Sequence, residues 1–422
     1  MIKPSELLGM NARNQIYVPL NPKRSKSICH SKFTTKILLL NEGIPTPEVY
    51  GILTTIEDVN EFDWDTLKKN FVIKPTNGHA GKGVIAFSEK KGEYWIDVIN
   101  HQWAEEDLKL HCFDILEGQY SSHGANPKVI IEERVIPHPK LTKYSYKGTP
   151  DIRVVVFNSI PIMAYLRLPT KESEGRANQS QGALGVGIDM GTGLTTFAAA
   201  HKTQLIKYLP GTKIELRGIQ IPFWHDVLLT AVKAANAAKL VYGGVDLFMH
   251  EEKGPLVVEL NFRPGLSIQI ANQAGLRKRL EKVSDLNVIN LKHGIKIAQA
   301  LFAESYFETE DERKPIITHK ESITVLGDNG SREEIEAFIK TGRFRSAIAR
   351  EMAQKLGLID LDDLLWYQQE EEGKVPVIEV NFELKGQRVD TEMIVSKRLD
   401  RSLHKVELGR KDLTGYMVRI EK

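Results

Sequence analysis

The sequence predicts a mixed α/β (α+β) chain of 422 residues that ends in a small, mainly-β unit. Three observations carry this expectation. Two hairpin patterns of different chemistry, one glycine-rich and cationic and one acidic, lie among amphipathic helical stretches. The charged, proline-ended run at 308–315 then divides off a tail, and that tail alternates short apolar segments with turns. In chain order, 31–41 reads as a helix stopped by Gly43 and Pro45, and 71–75 and 84–87 read as strands around a glycine loop. A buried strand starts at Val129, apolar strands run from Arg153 to Phe157 and from Ile162 to Leu168, and helices are expected at 224–240 and 287–305. In the helix at 224–240, Val227, Leu228, Ala231, Val232 and Ala235 share one face.

The acidic hairpin is the most informative stretch. Gly243 to Phe248 and Val257 to Gly265 flank a polar turn, and alternation places Leu256, Val258 and Leu260 on one face and Val257, Glu259 and Asn261 on the other. If the turn from His250 to Pro255 closes symmetrically, Asp246 lies directly opposite Glu259. Asp246, Glu259 and Asn261 then form a set of hard oxygen donors with no cysteine nearby, which favours Mg²⁺ over zinc. The plainer alternative is an edge hairpin with a solvated polar face.

A cradle for phosphate appears upstream. Lys74 ends the strand 71–75, and Gly78, Gly81, Lys82 and Gly83 follow in a loop whose backbone amides can approach phosphate oxygens closely. The loop has neither the Walker spacing nor the strand-to-helix setting of a dinucleotide fingerprint, and because another strand follows, it reads as a β-hairpin flap. The strand at 129–133 turns polar at Glu132, Glu133, Arg134 and Val135 before Pro137, as a hinge that reads an adenine edge would. An ordinary turn and an ordinary strand end are the alternatives.

Taken in order, Lys36, Lys74, the hinge 132–135, Asp151-Ile152-Arg153, Tyr165-Leu166-Arg167 and Asp246/Glu259/Asn261 resemble the ATP-grasp ligases. More narrowly, Asn11 to Tyr17, Asn21-Pro22-Lys23, Gly43 to Pro47 and 261–272 look like the RimK-related α-L-glutamate ligase-like proteins and the neighbouring sugar-transfer-associated ATP-grasp group. The resemblance covers roughly the first 300 residues, about two domain-lengths. It implies an ATP-grasp fold with nucleotide held between two lobes, a flap lobe at about 48–130 and a metal-binding lobe at about 131–307 of a domain spanning 1–307.

The resemblance also implies an activity, an ATP-dependent carboxylate–amine ligation through an acyl phosphate. Lys36 and Lys74 would grip the phosphates of ATP, and Asp246, Glu259 and Asn261 would hold Mg²⁺, with Mn²⁺ as a substitute ion. Arg153 and Arg167 sit in apolar strands, where an arginine is either a clamp on substrate oxygens or half of a structural ion pair. Asn178 and Gln181 fall in the loop resembling the family's asparagine-containing substrate loop, and Arg263 would orient the acyl phosphate or an acidic acceptor. The partners implied are an amino-acid donor, most directly glutamate, and an amine on a small molecule, peptide or protein. A kinase-like phosphoryl transferase and a non-enzymatic adaptor are the competing readings.

Composition is consistent with this and excludes other classes. The formal net charge is +2, so nothing argues for nucleic acid. The chain has 2 cysteines, too few for a disulfide scaffold and in keeping with a reducing cytosol. The start of the sequence carries no signal-like apolar run and no stretch suits a membrane span, so a cytoplasmic enzyme is expected, with homo-oligomerisation left open.

After a linker at 308–320, residues 321–422 resemble the retropepsin-like fold of the so-called ATP-dependent zinc protease family. Where that family has Asp-Thr-Gly-Ala, this chain has Lys340-Thr341-Gly342-Arg343. A lysine cannot share a proton with a second carboxylate to activate water, so the expectation is a degenerate, non-proteolytic domain.

Overall fold

The computed structural model describes residues 3–77, 81–121, 127–201, 203–303, 315–359, 364–370, 373–413 and 416–419. It divides into two compact units, Met1–Ala298 and Gln299–Lys422. Gly78 of the expected flap and residues 304–314, which include most of the expected linker, lie outside the described residues.

In the first unit the chain runs through α1 (Lys23–His30), α2 (Lys32–Asn41), β1 (Val49–Leu53), β2 (Phe71–Pro75), β3 (Ile85–Lys91), β4 (Tyr94–Asp97), β5 (Gln102–Trp103), α3 (Glu105–Leu116) and β6 (Val129–Glu133). The strands form one antiparallel sheet in the order β1-β6-β2-β3-β4-β5. Its core gathers Phe71, Ile73, Phe87, Val129 and Ile131 from the sheet with Leu108, Cys112 and Ile115 from α3. The Phe71 and Phe87 rings stack at 4.4 Å. Helix α3 opens with Glu105, Glu106 and Asp107, charges that suit the positive end of the helix dipole.

The second sheet comprises β7 (Asp151–Phe157), β8 (Ile160–Leu168), β9 (Leu184–Ile188), β10 (Thr195–Ala200), β11 (Gln204–Ile206) and, after α4 (Trp224–Ala237), β12 (Tyr242–His250) and β13 (Gly254–Asn261). Its order is β11-β10-β9-β8-β7-β12-β13. Every residue of β7 and β8 is buried, so both faces of the sheet are covered there. Helix α4 packs across β7, β12 and β13 through Val227, Leu228, Ala231, Val232 and Ala235, all buried. A short helix, α5 (Ile268–Asn272), lies against β8, β9 and β10. It comes so close that a Cβ on Gly187 would stand 2.3 Å from the Ala271 carbonyl oxygen.

Helix ends follow their caps. Ser31 is the N-cap of α2, its hydroxyl accepting from the Thr34 amide at 3.2 Å, an arrangement that satisfies an otherwise orphaned donor. Helix α6, which begins in this unit, spans Leu291–Phe302 rather than starting at 287, because the Asn290 side chain accepts from the His293 amide at 2.9 Å and so caps it.

The N-terminal arm is stitched to the second sheet by two amide side chains. Asn21 donates to the Tyr242 carbonyl at 2.8 Å and accepts from the amides of Val241 and Tyr242 at 2.9 and 3.0 Å. Gln269 accepts from the Leu8 amide at 2.8 Å and donates to its carbonyl at 3.2 Å. Both residues are buried and imitate a strand partner where backbone groups would otherwise be left unpaired.

The hairpin β12–β13 differs from the expected closure. Its turn pairs His250 with Gly254 and Met249 with Pro255, and a bulge at Val258 restores the register, so that Asp246 is paired with Glu259 and Gly244 with Asn261. Because one extra residue inverts the alternation, Val257 pairs with Leu247 and shares the buried face of Leu260. The placement of Val257 beside Glu259 is therefore corrected, and Val258 is only half-buried.

The second unit is mainly β, from β14 (Ile316–Ile317), β15 (Lys320–Leu326) and β16 (Arg332–Lys340) through β17 (Ala347–Ala349), β18 (Leu364–Glu370), β19 (Gly373–Leu384), β20 (Gln387–Ser396) and β21 (Val406–Gly409) to β22 (Met417–Val418). The order β15-β16-β21-β17-β20-β19 closes on itself through a β15–β19 pairing, with β18 attached to β19. Closure removes sheet edges. Lys340 ends β16 and is paired with Glu407 at 3.3 Å, a carboxylate also bound by Arg343 at 3.3 Å and Arg398 at 2.7 Å.

Candidate active site

The second sheet presents one charged face. In register across β8, β7, β12 and β13 lie Tyr165, Arg153, Asp246 and Glu259, and two residues along β7 and β8 Asp151 faces Arg167. Arg153 grips Asp246 with both arms, Nε to Oδ1 at 2.6 Å and Nη2 to Oδ2 at 2.5 Å. Arg167 binds both oxygens of Asp151, at 2.5 Å from Nε to Oδ1 and through Nη2 to Oδ2. Its Nη2 also reaches Asp246 Oδ2 at 2.8 Å. All four side chains are buried. Two guanidiniums and two carboxylates thus close a neutral network, the only economical way to keep such charges out of water.

The network matches the ion-pair alternative: Arg153 and Arg167 are engaged by Asp246 and Asp151. The physical reason is proximity, since cross-strand register sets each arginine beside an acid on the same face. Burial works to raise the Asp246 carboxyl, but Arg153 and Arg167 outweigh it and hold it below the ordinary carboxylate range. At Asp151 burial prevails over Arg167, with the Asp246 charge adding to it, and pushes the carboxyl up to about 7.

The cationic end is built on the first sheet and α2. Glu132, buried in β6, binds Lys74 through Oε1 and Lys36 through Oε2 at 2.9 Å. Lys36 Nζ also donates to Thr46 Oγ1 at 2.7 Å and to the Pro47 carbonyl at 3.1 Å. Burial pushes the Lys36 ammonium down to about 8, against the pull of Glu132 and with the repulsion of Lys74. At Glu132 the same two lysines overcome burial and keep the carboxyl below its usual value. The Glu132 side chain therefore meets both lysines.

Three contacts bring the cationic and acidic ends together. Thr46, which holds Lys36, donates to the Val257 carbonyl of β13 at 2.9 Å, and the Val257 amide donates to the Pro45 carbonyl at 2.8 Å. Lys32 stands 4.0 Å from Glu259. Burial lowers the Lys32 ammonium; Glu259 works against that shift, and Lys74 and Glu132 also lie in range. Lys32 was missed from sequence. Its spacing of four residues from Lys36 on one helix face was the available signal.

The hinge residues divide by role. Glu133 is tied to the acidic hairpin's turn, binding Lys253 at 2.5 Å, and accepts from the Glu48 amide at 3.1 Å. Arg134 is half-buried, and burial lowers its guanidinium. The Glu133 and Arg134 amides donate to Glu48 and Asn70. Val135 is buried, yet its peptide N–H and carbonyl have no partner among the described residues.

In the flap, β2 and β3 pair as an antiparallel hairpin. Gly81 and Gly83 both have positive φ, +75° and +72°, and Lys82 between them is exposed. A Cβ on Gly83 would stand 2.6 Å from the Tyr120 ring. Gly83→Ala is therefore expected to cost about 1–3 kcal/mol from backbone conformation alone, read as a lowered denaturant midpoint.

The loop after β8 is also sorted by burial. Asn178 caps the short helix Gln179–Gln181, accepting from the Ser180 amide at 3.0 Å and hydroxyl at 2.7 Å. Gln181 is half-buried, whereas Gln179 is buried, accepts from Ser267 Oγ at 2.5 Å and packs on Gly185. Gly185 is the register partner of Arg167. Sequence reasoning selected Asn178 and Gln181 and missed Gln179, for which only the absent Cβ at Gly185 was a signal. Arg263, past the end of β13, is exposed and lies over the Phe262 ring at 5.0 Å. A separate cavity of about 450 Å³ is lined by Tyr144, Tyr146, Thr170, Leu184, His201 and Leu209 among others, and none of the expected site residues borders it.

The donor set at the acidic end fits a hard divalent ion in part. Glu259 is 38% exposed with Lys32 as its ion-pair contact. Asn261 uses its Nδ2 on Asp246 Oδ2 at 3.3 Å, which leaves the amide oxygen for other use. Asp246 has both oxygens on guanidiniums, Oδ1 through the bond from Arg153 Nε, so a cation would share that carboxylate with the arginines. No group of three or more His, Cys, Asp and Glu side chains suited to a metal occurs among the described residues, so a bound ion would complete its shell with water and phosphate oxygens.

Lys74 on one antiparallel sheet, Lys36 on α2 and a carboxylate pair on the next sheet lie within one unit, and the sequence match places this chain in the ATP-grasp class. It belongs to the sugar-transfer associated ATP-grasp family, whose sequence profile matches residues 11–285. Solved structures similar to it include the ATP-grasp ligase PsnB complexed with a minimal precursor, at 16% identity over 62% of this chain and 60% of PsnB, with a TM-score of 0.34. The D-alanine–D-alanine ligase from Bacillus anthracis complexed with ATP is 19% identical over 66% of this chain and 68% of the ligase, with a TM-score of 0.36. The D-cycloserine synthetase DcsG is 14% identical over 63% and 72%, with a TM-score of 0.37. The match thus spans less than two thirds of PsnB. No curated protein sequence matches this chain. No helix among the described residues is long and apolar enough to cross a membrane.

Proposed function

We propose that this protein is an ATP- and Mg²⁺-dependent carboxylate–amine ligase that forms an amide bond through an acyl phosphate, with glutamate or a similar amino acid as a substrate. The observation that carries this is the Lys36–Thr46–Val257 link, which sets a buried lysine pair beside the Asp246/Glu259 strand. A carboxylate is a poor electrophile until its oxygen takes the γ-phosphoryl of ATP; an amine then displaces phosphate. Lys36 and Lys74 hold the nucleotide's phosphates, with Glu132 fixing both ammonium groups. The open backbone of Val135 suits an adenine edge, and Gly81, Lys82 and Gly83 fold over the phosphates to exclude water, which would hydrolyse an acyl phosphate. Glu259, Asn261 and Asp246 would hold Mg²⁺, which supplies charge neutralisation at the transferring phosphoryl group. Arg153 and Arg167 position Asp246, and Asn178 shapes the loop over the same face. The narrower likeness to RimK-related ligases, a cytoplasmic location and a non-proteolytic, retropepsin-like C-terminal barrel belong to this reading.

Incubation with ATP, Mg²⁺, pooled amino acids and hydroxylamine tests it. A hydroxamate specific to one carboxylate is expected. A stable phosphorylated product without hydroxamate would favour phosphoryl transfer and end the ligase reading.

The position of Lys36 adds a pH dependence. Only its protonated form attracts a triphosphate, and burial places the ammonium at about 8, below the ordinary lysine value. As pH rises through that point the charge is lost, so kcat/KM for ATP should fall on the alkaline side, approaching about tenfold per pH unit. Lys36→Arg, which stays charged, should flatten that limb. An unchanged alkaline limb in K36R would assign it to another group.

A further inference from the structure

The cavity of about 450 Å³ is a built pocket that the nucleotide and metal groups do not use. It lies between the segment 143–146 ahead of β7, the loop after β8, and the ends of the β10–β11 hairpin. These walls are held in place without a ligand. The Tyr146 amide donates to the Pro169 carbonyl at 3.0 Å and the Gly175 amide to the Thr170 carbonyl at 3.2 Å. Behind them two loops touch, so that a Cβ on Gly148 would stand 1.8 Å from the Gly175 carbonyl oxygen.

The polar groups of the walls are spent on one another. Thr170 Oγ1 donates to the Gly182 carbonyl at 2.9 Å and accepts from the Ser173 amide at 3.0 Å, and Ser145 Oγ donates to the Gly148 carbonyl at 2.8 Å. The Leu209 amide donates to the Ile214 carbonyl, and its own carbonyl accepts from Thr212. What remains as lining is largely carbon, from Tyr144, Pro169, Leu184, Ala200, Leu209 and Pro210. Such a lining favours an apolar group, because a polar one would give up water without gaining a partner. A cavity of about 150 Å³ is enough for benzene, so this one takes a group larger than a single ring. The charged side chains on its border are exposed and of both signs: Lys143, Lys171, and Glu172, which stands 3.6 Å from His201.

Its place in the sheet connects it to the candidate site. Leu184 lines the cavity and pairs with Leu168, one residue along from the Arg167–Gly185 pair of the buried network. The cavity thus adjoins the β8–β9 side of that network, while Asp246 and Glu259 lie across β7 on β12 and β13. A carboxylate being phosphorylated belongs at the acidic strands, and glutamate is too polar to fill a carbon-lined space. We propose that the cavity receives the apolar side chain of the amine-bearing substrate, an amino acid or peptide whose own amine and carboxylate stay at the charged mouth. The role as acceptor site rests on the ligase reading; binding of a large apolar amino acid does not.

The full chain, saturated with Mg²⁺ and a non-hydrolysable ATP analogue, is titrated calorimetrically with tryptophan, leucine and glycine, which share their charged groups and differ in the apolar one. Tryptophan or leucine should bind at least about tenfold more tightly than glycine. Ala200→Leu, which adds carbon to the cavity, should weaken that binding by about tenfold or more, and Leu209→Ala, at a half-buried loop position, should weaken it a few-fold. Affinity for the ATP analogue should stay unchanged in both, and L209A serves even if A200L folds poorly. Binding of tryptophan and leucine no tighter than glycine, or wild-type binding in both variants, would overturn the proposal. With glutamate, ATP and hydroxylamine, both variants should form hydroxamate as the wild type does, since activation needs no acceptor; a loss parallel to the loss of binding would give the cavity to the carboxylate donor and overturn the acceptor role. Tight tryptophan or leucine binding by a wild type that forms no hydroxamate with any amino acid would instead count against the ligase reading alone.

Discussion

Replacing Glu259 by Gln is expected to reduce ATP turnover by about 100-fold or more while leaving the unfolding midpoint in place; Asp246→Asn is expected to lose both turnover and stability. The two carboxylates are register partners but live in different environments. The Glu259 side chain is 38% exposed and that of Lys32, 4.0 Å away, is 25% exposed, so removing the Glu259 charge leaves that cation within reach of water. Asp246 neutralises Arg153 and shares Arg167 with Asp151. An amide there leaves two buried guanidiniums with one acid, and breaking a buried pair from one side costs about 3–5 kcal/mol. Urea denaturation read beside ADP release separates the cases. An E259Q protein that turns over ATP like the wild type would remove Glu259 from the ion's site, and a D246N protein of wild-type stability would show that the network is not structural.

The second large effect is expected at Glu132. Among the described residues it is the single carboxylate bound to both Lys36 and Lys74, and all three side chains are buried. Glu132→Ala leaves two ammonium groups facing each other without a counter-charge, a loss again of about 3–5 kcal/mol in the ligand-free protein. ATP brings its own negative charge to the same lysines. Saturating nucleotide should therefore recover more stability in E132A than in the wild type, through the linkage between binding and folding. Thermal melts with and without the non-hydrolysable analogue test this, and an equal nucleotide-induced shift in both proteins would place the triphosphate elsewhere.

Much of the frame was legible in the sequence because it rests on local rules. The glycine flap between β2 and β3 follows from Phe71 to Lys74, the glycines and the strand that resumes at Ile85. The pairing of Asp246 with Glu259 follows from hairpin arithmetic, although the route was different, since the turn is one residue shorter and the Val258 bulge makes up the difference. Composition signalled a bulge nowhere, and Val257 was consequently assigned to the wrong face. Helix 287–305 was drawn too long because periodicity does not register a cap such as Asn290.

Long-range partners were not legible. That Arg153 and Arg167 would be taken up by Asp246 and Asp151 depends on β7 lying between β8 and β12, an arrangement that brings together residues 93 and 79 positions apart. Lys32 and Gln179 gain their significance in the same way, from what the fold sets opposite them.

By itself the sequence determined which chemistry is present: oxygen donors along one strand and lysines around a glycine flap. Alternation, turn preference and charge are properties of neighbours in the chain, and such properties survive in one dimension. Only the tertiary structure decided which charges are spent on one another and which remain to meet a ligand. A charge is spent when an opposite one lies within a few ångströms and out of water, and for Asp246 and Glu132 the residues that settle this come from other elements of the fold.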